Sequence, residues 1–128
     1  MLKDDFLNIN NDLSNSISVC QKTQELVKNK TGFGYDNREE IIKDLFDEIK
    51  ELQYELEQNN MERIKEELAD VVFVLCNLSN KYDIDLNNAL LYSTKEYQRR
   101  LTYIENKLGK IPTKEEIINN WKEAKINK

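Results

Sequence analysis

The sequence predicts an all-α protein, and three observations support this fold class. Apolar residues recur three and four positions apart along most of the 128-residue chain, which is the period of an amphipathic helix. No segment keeps the strict alternation of apolar and polar residues for as long as a strand requires. Because 39% of the residues are apolar and lie at helical spacing, we expect a packed core rather than a disordered chain, in one domain over residues 1–128.

The first half of the chain contains the signals of two predicted helical segments. Between about 2 and 30, apolar positions at helical spacing predict one long helix or two, and the glycine-containing segment 31–36 follows. Asn37, with Glu40 three residues later, is typical of a helix N-cap and its capping-box partner. We therefore expect the second helix to begin after Asn37 and to run to about Glu57.

Two further helices are expected after short breaks. The third covers about 61–80 and the fourth about 86–108, with Asp83 or Asp85 as the N-cap of the fourth. Gly109 is typical of a residue that ends a helix.

The last helix and the connections complete the predicted architecture. Thr113 and Glu116 form a capping-box pattern that begins a helix to about Ile126. The loops on either side of the third helix are short, so the second, third and fourth helices are expected to pack as antiparallel neighbours. The prediction is an antiparallel helical bundle with five main helices and a four-helix-bundle-like core.

The composition excludes several classes of mechanism. The chain has no His, which removes Ser-His-Asp catalysis, Cys-His catalysis and histidine metal ligands. Its 3 Gly form neither a P-loop nor a dinucleotide-binding fingerprint. Cys20 and Cys76 are too few and too far apart for a zinc site or a C-x-x-C pair, and both are expected in the core of a protein of the reducing cytosol. Of the mechanisms considered, those that use carboxylates remain open to this chain.

Charge and hydropathy limit the partners. The formal net charge is −5 and no basic stripe is visible, so we expect no binding to DNA or RNA. The chain shows no basic and then apolar leader, and no run approaches the roughly 18 apolar residues of a membrane span. A cytoplasmic protein without a membrane partner is therefore expected, and an anionic substrate would need a cation between itself and this acidic chain.

Two parallel stripes run along the second predicted helix. The apolar stripe is expected in the core and comprises Leu45, Ile49, Leu52 and Leu56. The acidic stripe beside it comprises Asp44, Glu48, Glu51 and Glu55. An acidic stripe taken alone is most often a solvated face, although four like charges at helical spacing repel one another. This helix by itself therefore leaves the function open.

The third predicted helix favours a functional role for the acidic residues over a solvated face. Only Asp70 and Asn77 interrupt its apolar run over 68–78, so the helix is expected to be largely buried, with Asn77 as a hydrogen-bonding residue that fixes helix register. Carboxylates at Glu67 and Asp70 would be costly to bury unless they meet protons, bases or a metal. The helix also has more apolar surface than three neighbours in one chain easily cover, so we expect a homodimer or a larger assembly.

Four carboxylates converge if the second and third helices pack antiparallel: Glu48, Glu51, Glu67 and Asp70. A set of oxygen ligands selects Mg²⁺ or Mn²⁺ over zinc or copper, and Mg²⁺ commonly shares its coordination shell with substrate phosphates. The alternative is a buried salt-bridge network in which Arg99, Arg100 or lysines neutralise the acids. Spacing alone leaves the metal site and the salt-bridge network both open.

The acidic residues also match a known pattern. The segments 47–51, Asp-Glu-Ile-Lys-Glu, and 66–73, Glu-Glu-Leu-Ala-Asp-Val-Val-Phe, resemble the E-E-x-x-E and E-x-x-D signature of the MazG-type nucleoside triphosphate pyrophosphohydrolases. The segment 83–90 resembles the family's entry into its next helix, and 95–100 resembles its K-F-x-R-R ending. The likeness covers most of the chain, which places the core of the domain at about 21–125.

The resemblance implies a fold, an activity and a site. The fold would be an all-α bundle that usually dimerises, and the reaction would hydrolyse an acid anhydride, splitting a nucleoside triphosphate into the monophosphate and pyrophosphate. The catalytic residues and Mg²⁺ ligands would be Glu48, Glu51, Glu67 and Asp70. Arg100 would neutralise phosphate charge and Trp121 would lie at the nucleotide, while Lys95 and Arg99 are either further phosphate contacts or solvent-facing charges.

Several alternatives remain beside this interpretation. The substrates could be canonical and damaged nucleotides, as in a house-cleaning enzyme, or one narrow substrate such as dUTP, dCTP or phosphoribosyl-ATP. Asp47, Thr94 and Glu96 depart from the family pattern, and these departures bear on the nucleotide preference more than on the metal site. A different class of protein, a non-catalytic helical interaction module with a solvated acidic stripe, would bind no metal.

Overall fold

The computed structural model describes residues 1–12 and 15–127, and these residues form six helices and no strand. The helices are α1 (Leu2–Asp12), α2 (Ser16–Thr31), α3 (Arg38–Gln58), α4 (Met61–Lys81), α5 (Leu86–Leu108) and α6 (Lys114–Ile126). The predicted all-α class is confirmed. The first predicted segment forms two helices, and residues 13 and 14 between them lie outside the described residues.

Polar side chains begin four of the helices. Asn15, Asn37, Asn60 and Thr113 accept hydrogen bonds from backbone N–H groups in the first turns of α2, α3, α4 and α6. The predicted capping box of Thr113 is present, since Glu116 also accepts from the Thr113 N–H at 3.0 Å. At α3 the predicted box is wrong in one detail, because the Glu40 carboxylate accepts from the N–H of Asp36 and not from that of Asn37.

The turn between α4 and α5 corrects one of the predicted caps. Asp83 has a left-handed backbone, with φ 53°. The N–H of the following residue, Ile84, donates to the Ser79 carbonyl at 2.9 Å, which is the hydrogen bond that closes the C-terminus of a helix in a Schellman motif. Asp83 therefore ends α4 and does not begin α5.

The chain divides into two compact units, Met1–Asn87 and Asn88–Lys128. In the first unit α4 packs against both α3 and α2, and α1 packs on α2. Helices α3 and α4 run antiparallel around the two-residue turn 59–60, as predicted. The predicted single domain over 1–128 and the four-helix-bundle-like core stay predictions.

The second unit holds α6 against α5 by a small core and a set of hydrogen bonds. Ile104 and Ala124 are fully buried. The Arg99 guanidinium donates to the carbonyls of Ala124, at 3.1 Å, and Asn127, at 2.6 Å, which are unpaired acceptors at the end of α6. Arg99 thus fixes the C-terminus of α6 onto α5.

The two stripes of α3 are oriented differently from the prediction. Glu55 is 9% exposed, whereas Ile49 is 37% and Leu56 is 51% exposed, so the predicted core role of these two apolar residues is wrong within one chain. On α4 the expected burial is likewise wrong for Leu68 and Phe73, which are each 51% exposed. The reason is that α3 turns much of its acidic stripe toward α4 and leaves apolar side chains on the surface.

The core of the first unit contains both apolar and polar residues. Ile41, Val74 and Cys76 are buried among the described residues. Cys20 and Cys76 are free thiols close to one another, and burial raises the pKa of Cys20 to about 12. Both cysteines therefore act as small packing residues, as predicted, with Cys76 the more deeply buried.

None of the helices in the described part of the chain is long and apolar enough to cross a membrane.

Candidate active site

Three of the four predicted carboxylates meet between α3 and α4. Glu48 comes from α3, and Glu67 and Asp70 come from one face of α4, three residues apart. One oxygen from each of the three lies within 4.8 Å of the others. The antiparallel packing of the two helices produces this convergence, as the spacing of the acidic residues predicts.

Two oxygens of this cluster lack partners. Glu48 Oε2 and Glu67 Oε2 are buried and accept no hydrogen bond from any group in the described residues. Buried polar atoms are nearly always satisfied, and an unsatisfied carboxylate oxygen carries a large desolvation cost. The two oxygens therefore point to a missing positive partner, either a proton or a cation.

The electrostatics of the cluster agree with this geometry. Burial, the neighbouring carboxyl group of Glu67 and the charges of Glu51 and Asp70 together raise the pKa of Glu48 to about 7, with burial as the largest cause. Burial likewise raises the pKa of Glu67 above its ordinary value. The carboxylates repel one another when all are ionised, and a divalent cation would relieve this repulsion. Oxygen-only ligands suit a hard cation such as Mg²⁺ or Mn²⁺.

Glu51, the fourth predicted carboxylate, lies at the edge of the cluster. Its side chain is exposed and does not belong to the group of three, although its charge raises the pKa of both Glu48 and Glu67. It lines a cavity of about 400 Å³ together with Lys50, Tyr54, Glu55, Arg63 and Glu67. Glu51 is therefore placed to reach a cation at the cluster from the open side.

The second unit brings two of the predicted substrate contacts together. The Arg100 guanidinium carbon lies 5.5 Å from the centroid of the Trp121 ring, a cation–π arrangement. The Tyr97 ring meets Trp121 edge-on, with ring centroids 5.9 Å apart. Arg100 Nε is buried and has no hydrogen-bond partner in the described residues. This unpaired donor distinguishes Arg100 from a surface arginine in an ion pair.

The other two predicted contacts lie in different surroundings. Arg99 donates to the Glu96 carboxylate at 3.3 Å as well as to the end of α6, which favours a structural role. Lys95 is exposed on α5.

The sequence-based reasoning missed one cavity, which has a volume of about 410 Å³ in the first unit. Phe33, Tyr35, Asp44, Phe73 and Asn77 are among its lining residues. The signal for this cavity in the sequence is the pair of aromatic residues on either side of Gly34. Asn77 does not fix helix register as expected, because its amide donates along its own helix to the Phe73 carbonyl at 3.4 Å.

These features define the class of the protein as an all-helical domain with a partly buried carboxylate cluster suited to a divalent cation. The sequence pattern of the MazG nucleotide pyrophosphohydrolase domain matches residues 36–104, more than half of the chain, and this match includes all four predicted carboxylates. The chain therefore belongs to the MazG nucleotide pyrophosphohydrolase family. The resemblance drawn from the sequence motifs is confirmed.

One curated relative is the nucleoside triphosphate pyrophosphohydrolase/pyrophosphatase MazG of Thermotoga maritima. It is 27% identical over 100 residues, which cover 78% of this chain and 38% of the relative. The chain thus spans less than half the length of that protein. No solved structure matches the chain significantly.

Proposed function

We propose that the protein is a Mg²⁺-dependent nucleoside triphosphate pyrophosphohydrolase, which converts a nucleoside triphosphate and water into the monophosphate and pyrophosphate. The observation that carries this proposal is the carboxylate cluster between α3 and α4, with its two buried oxygens that lack partners. The cluster lies inside the segment that matches the family. The name of the Thermotoga relative supports the same reaction.

The proposal assigns each acidic residue a role that its position supports. Glu48, Glu67 and Asp70 hold the cation, and Glu51 completes the set from the exposed side. The bound metal supplies Lewis-acid chemistry, since it neutralises phosphate charge and lowers the pKa of a coordinated water. Mn²⁺ is an acceptable replacement because it prefers the same oxygen ligands.

For the second unit taken by itself, we propose that its cationic and aromatic residues include substrate contacts, as the family resemblance implies. Arg100 neutralises phosphate charge through its unpaired donor, and the ring of Trp121 holds the guanidinium in place. Lys95 is an exposed further contact for phosphate, whereas Arg99 acts mainly through the end of α6. We propose no polymeric nucleic acid partner, because the chain carries a net charge of −5.

The substrate range and the cellular setting are part of the same proposal. The first substrates to test are canonical and non-canonical nucleoside triphosphates, as expected of a house-cleaning enzyme, with a single narrow substrate as the alternative. Two copies of the chain form a homodimer, for which the exposed apolar side chains of α3 and α4 are the support. A cytoplasmic location, where the Mg²⁺ and the nucleotides are, agrees with the two free thiols.

The proposal is tested by measuring pyrophosphate release from a panel of NTPs and dNTPs with and without Mg²⁺. Glu48→Gln and Asp70→Asn should each lower kcat/KM by about 100-fold or more, because each removes a charged ligand that stabilises the transition state. Arg100→Gln should raise KM. Glu57→Gln, an exposed acid on the same helix, is the matched control and should behave as the wild type.

Two results would contradict the proposal. One is that no nucleotide yields pyrophosphate, and the other is that Glu48→Gln and Asp70→Asn match the wild type. Thermal unfolding with and without Mg²⁺ separates the enzyme from a non-catalytic helical module. The enzyme should be stabilised by Mg²⁺ in the wild type and not in Glu48→Gln, whereas the module should not respond.

A further inference from the structure

The cavity of about 410 Å³ in the first unit has an aromatic wall and a polar edge. Phe33 and Tyr35 come from the loop between α2 and α3, and Phe73 comes from α4. The loop is tied to α2 because Lys28 Nζ donates to the Tyr35 carbonyl. A Cβ at Gly34 would lie 2.8 Å from the side chain of Lys28, so this side chain packs against the loop. Lys28 thus holds the backbone of the loop at Tyr35 next to α2.

The cavity lies next to the carboxylate cluster along both helices. Asp44, which lines the cavity, is four residues before Glu48 on α3, and Phe73 is three residues after Asp70 on α4. Four residues of a helix span about 6 Å, and both pairs lie on the same helix faces. A pentose separates the α-phosphate of a nucleotide from its base by a similar distance. A triphosphate bound to the cluster can therefore place its base in this cavity.

The polar edge of the cavity presents hydrogen-bond acceptors. Tyr35 Oη donates to Asp44 Oδ2 at 2.7 Å, and it is the only donor to that carboxylate in the part of the chain that the structure describes. Asn77 also lines the cavity, and its amide nitrogen donates to the Phe73 carbonyl at 3.4 Å. Gln24 also lines the cavity, but its nitrogen donates to the Phe73 carbonyl and its oxygen accepts from Asn80.

We propose that this cavity binds the nucleobase of the triphosphate and that Asp44 selects bases with an exocyclic amino group. The proposal rests on the function proposed above and adds its specificity. The carboxylate of Asp44, oriented by Tyr35, accepts from the amino group of cytosine, adenine or guanine. Uracil and thymine present a carbonyl oxygen where cytosine has the amino group, and this oxygen repels the carboxylate and gives it no hydrogen bond at that position.

The pair dCTP and dUTP tests the proposal, because the two nucleotides differ only in the base. We expect the wild type to show a kcat/KM for dCTP at least about tenfold above that for dUTP, since a site built to accept a hydrogen bond rejects the analogue that lacks the donor. Asp44→Asn should bring the ratio close to one, because an amide can donate to the uracil carbonyl. Tyr35→Phe should give a ratio between that of the wild type and that of Asp44→Asn.

Glu39→Gln is the matched control, since Glu39 is an exposed acid on the same helix and its side chain pairs with Arg38. It should keep the wild-type ratio. Equal cleavage of dCTP and dUTP by the wild type, or a ratio unchanged in Asp44→Asn, would overturn the inference while the pyrophosphohydrolase proposal stands. If no nucleotide is cleaved, the proposed function fails. The base preference of the cavity is then tested by calorimetry, as the ratio of the affinities for dCMP and dUMP in the wild type and in Asp44→Asn.

Discussion

Gln21 joins three parts of the fold through one buried amide. Its side-chain nitrogen donates to Asn80 Oδ1 at 2.9 Å and to the Ile84 carbonyl at 2.8 Å, and its oxygen accepts from the Leu86 N–H at 3.0 Å. The residue is 7% exposed, so water does not replace these bonds. A single side chain on α2 thereby fixes the end of α4 and the start of α5.

We predict that Gln21→Leu lowers the free energy of unfolding by about 2 to 4 kcal/mol, because it leaves buried backbone and side-chain groups without partners. Urea unfolding followed by circular dichroism measures the change. Gln58→Leu, at the exposed end of α3, is the control and should change stability by less than about 0.5 kcal/mol. Equal stability of Gln21→Leu and the wild type would show that the amide network contributes nothing.

The sequence identified an asparagine on α4 as a helix-joining residue, but it indicated the wrong one. Asn77 was expected in that role, whereas Asn80 donates to both the Gln21 carbonyl and the Gln24 side chain at 3.1 Å. The two asparagines are three residues apart and differ only in how they face α2. Sequence periodicity does not give the rotation of a helix about its axis to that accuracy, so the choice depends on the packing of α2.

At the scale of the helices, α6 depends on its N-terminal cap. The Thr113 N–H and the Lys110 ammonium both donate to the Glu116 carboxylate, and they lower the pKa of Glu116 below its ordinary value of 4.5. A carboxyl group whose pKa is lower in the folded than in the unfolded state adds stability above its ordinary pKa. That stability is lost as the pH falls through the folded-state pKa.

We therefore predict that Glu116→Gln lowers the thermal midpoint relative to the wild type at pH 7 and that this difference closes as the pH falls below the ordinary pKa of 4.5 and through the lowered pKa of the folded state. Thermal unfolding at a series of pH values measures both midpoints. Glu115→Gln, an exposed neighbour, should show a smaller difference at pH 7. A difference between Glu116→Gln and the wild type that stayed constant with pH would contradict the assignment to the carboxylate.

Helix boundaries and acidic spacing were predictable, whereas the orientation of α3 was not. Caps such as Asn37 and Thr113 are local signals, and they predicted the starts of α3 and α6 correctly. The positions of Glu48 on α3 and of Glu67 and Asp70 on α4 predicted that these carboxylates converge. The apolar and acidic stripes of α3 have the same period, however, so the pattern alone cannot show which stripe faces α4.

At the scale of the whole molecule, the surface of the first unit carries exposed apolar side chains on α3 and α4. They include Phe46, Ile49, Leu56, Leu68, Val72 and Phe73, with exposed fractions from 37% to 59%. Apolar surface of this kind on neighbouring helices is typical of a protein–protein interface. The sequence predicted excess apolar surface on the third helix, but a single sequence does not show which face a second copy covers.

We predict that light scattering finds a dimer at micromolar concentration and that Phe46→Arg shifts the mass toward the monomer. A charge in the centre of an apolar interface has to be desolvated without a partner, which weakens association. Leu7→Arg, which alters an apolar residue of α1 that is also 59% exposed, is the control and should remain dimeric. A monomeric wild type would rule out the homodimer, and a dimeric Phe46→Arg would exclude this face as its interface.

The two buried oxygens of Glu48 and Glu67 also have an evolutionary consequence. Replacing a buried charge by an apolar side chain of similar volume is often neutral or stabilising. A population of variants selected for heat resistance alone, in the presence of a chelator, should therefore drift toward leucine or methionine at these two positions. Retention of the acids at positions 48 and 67 therefore requires a selection pressure other than stability, and the proposed catalysis would supply it.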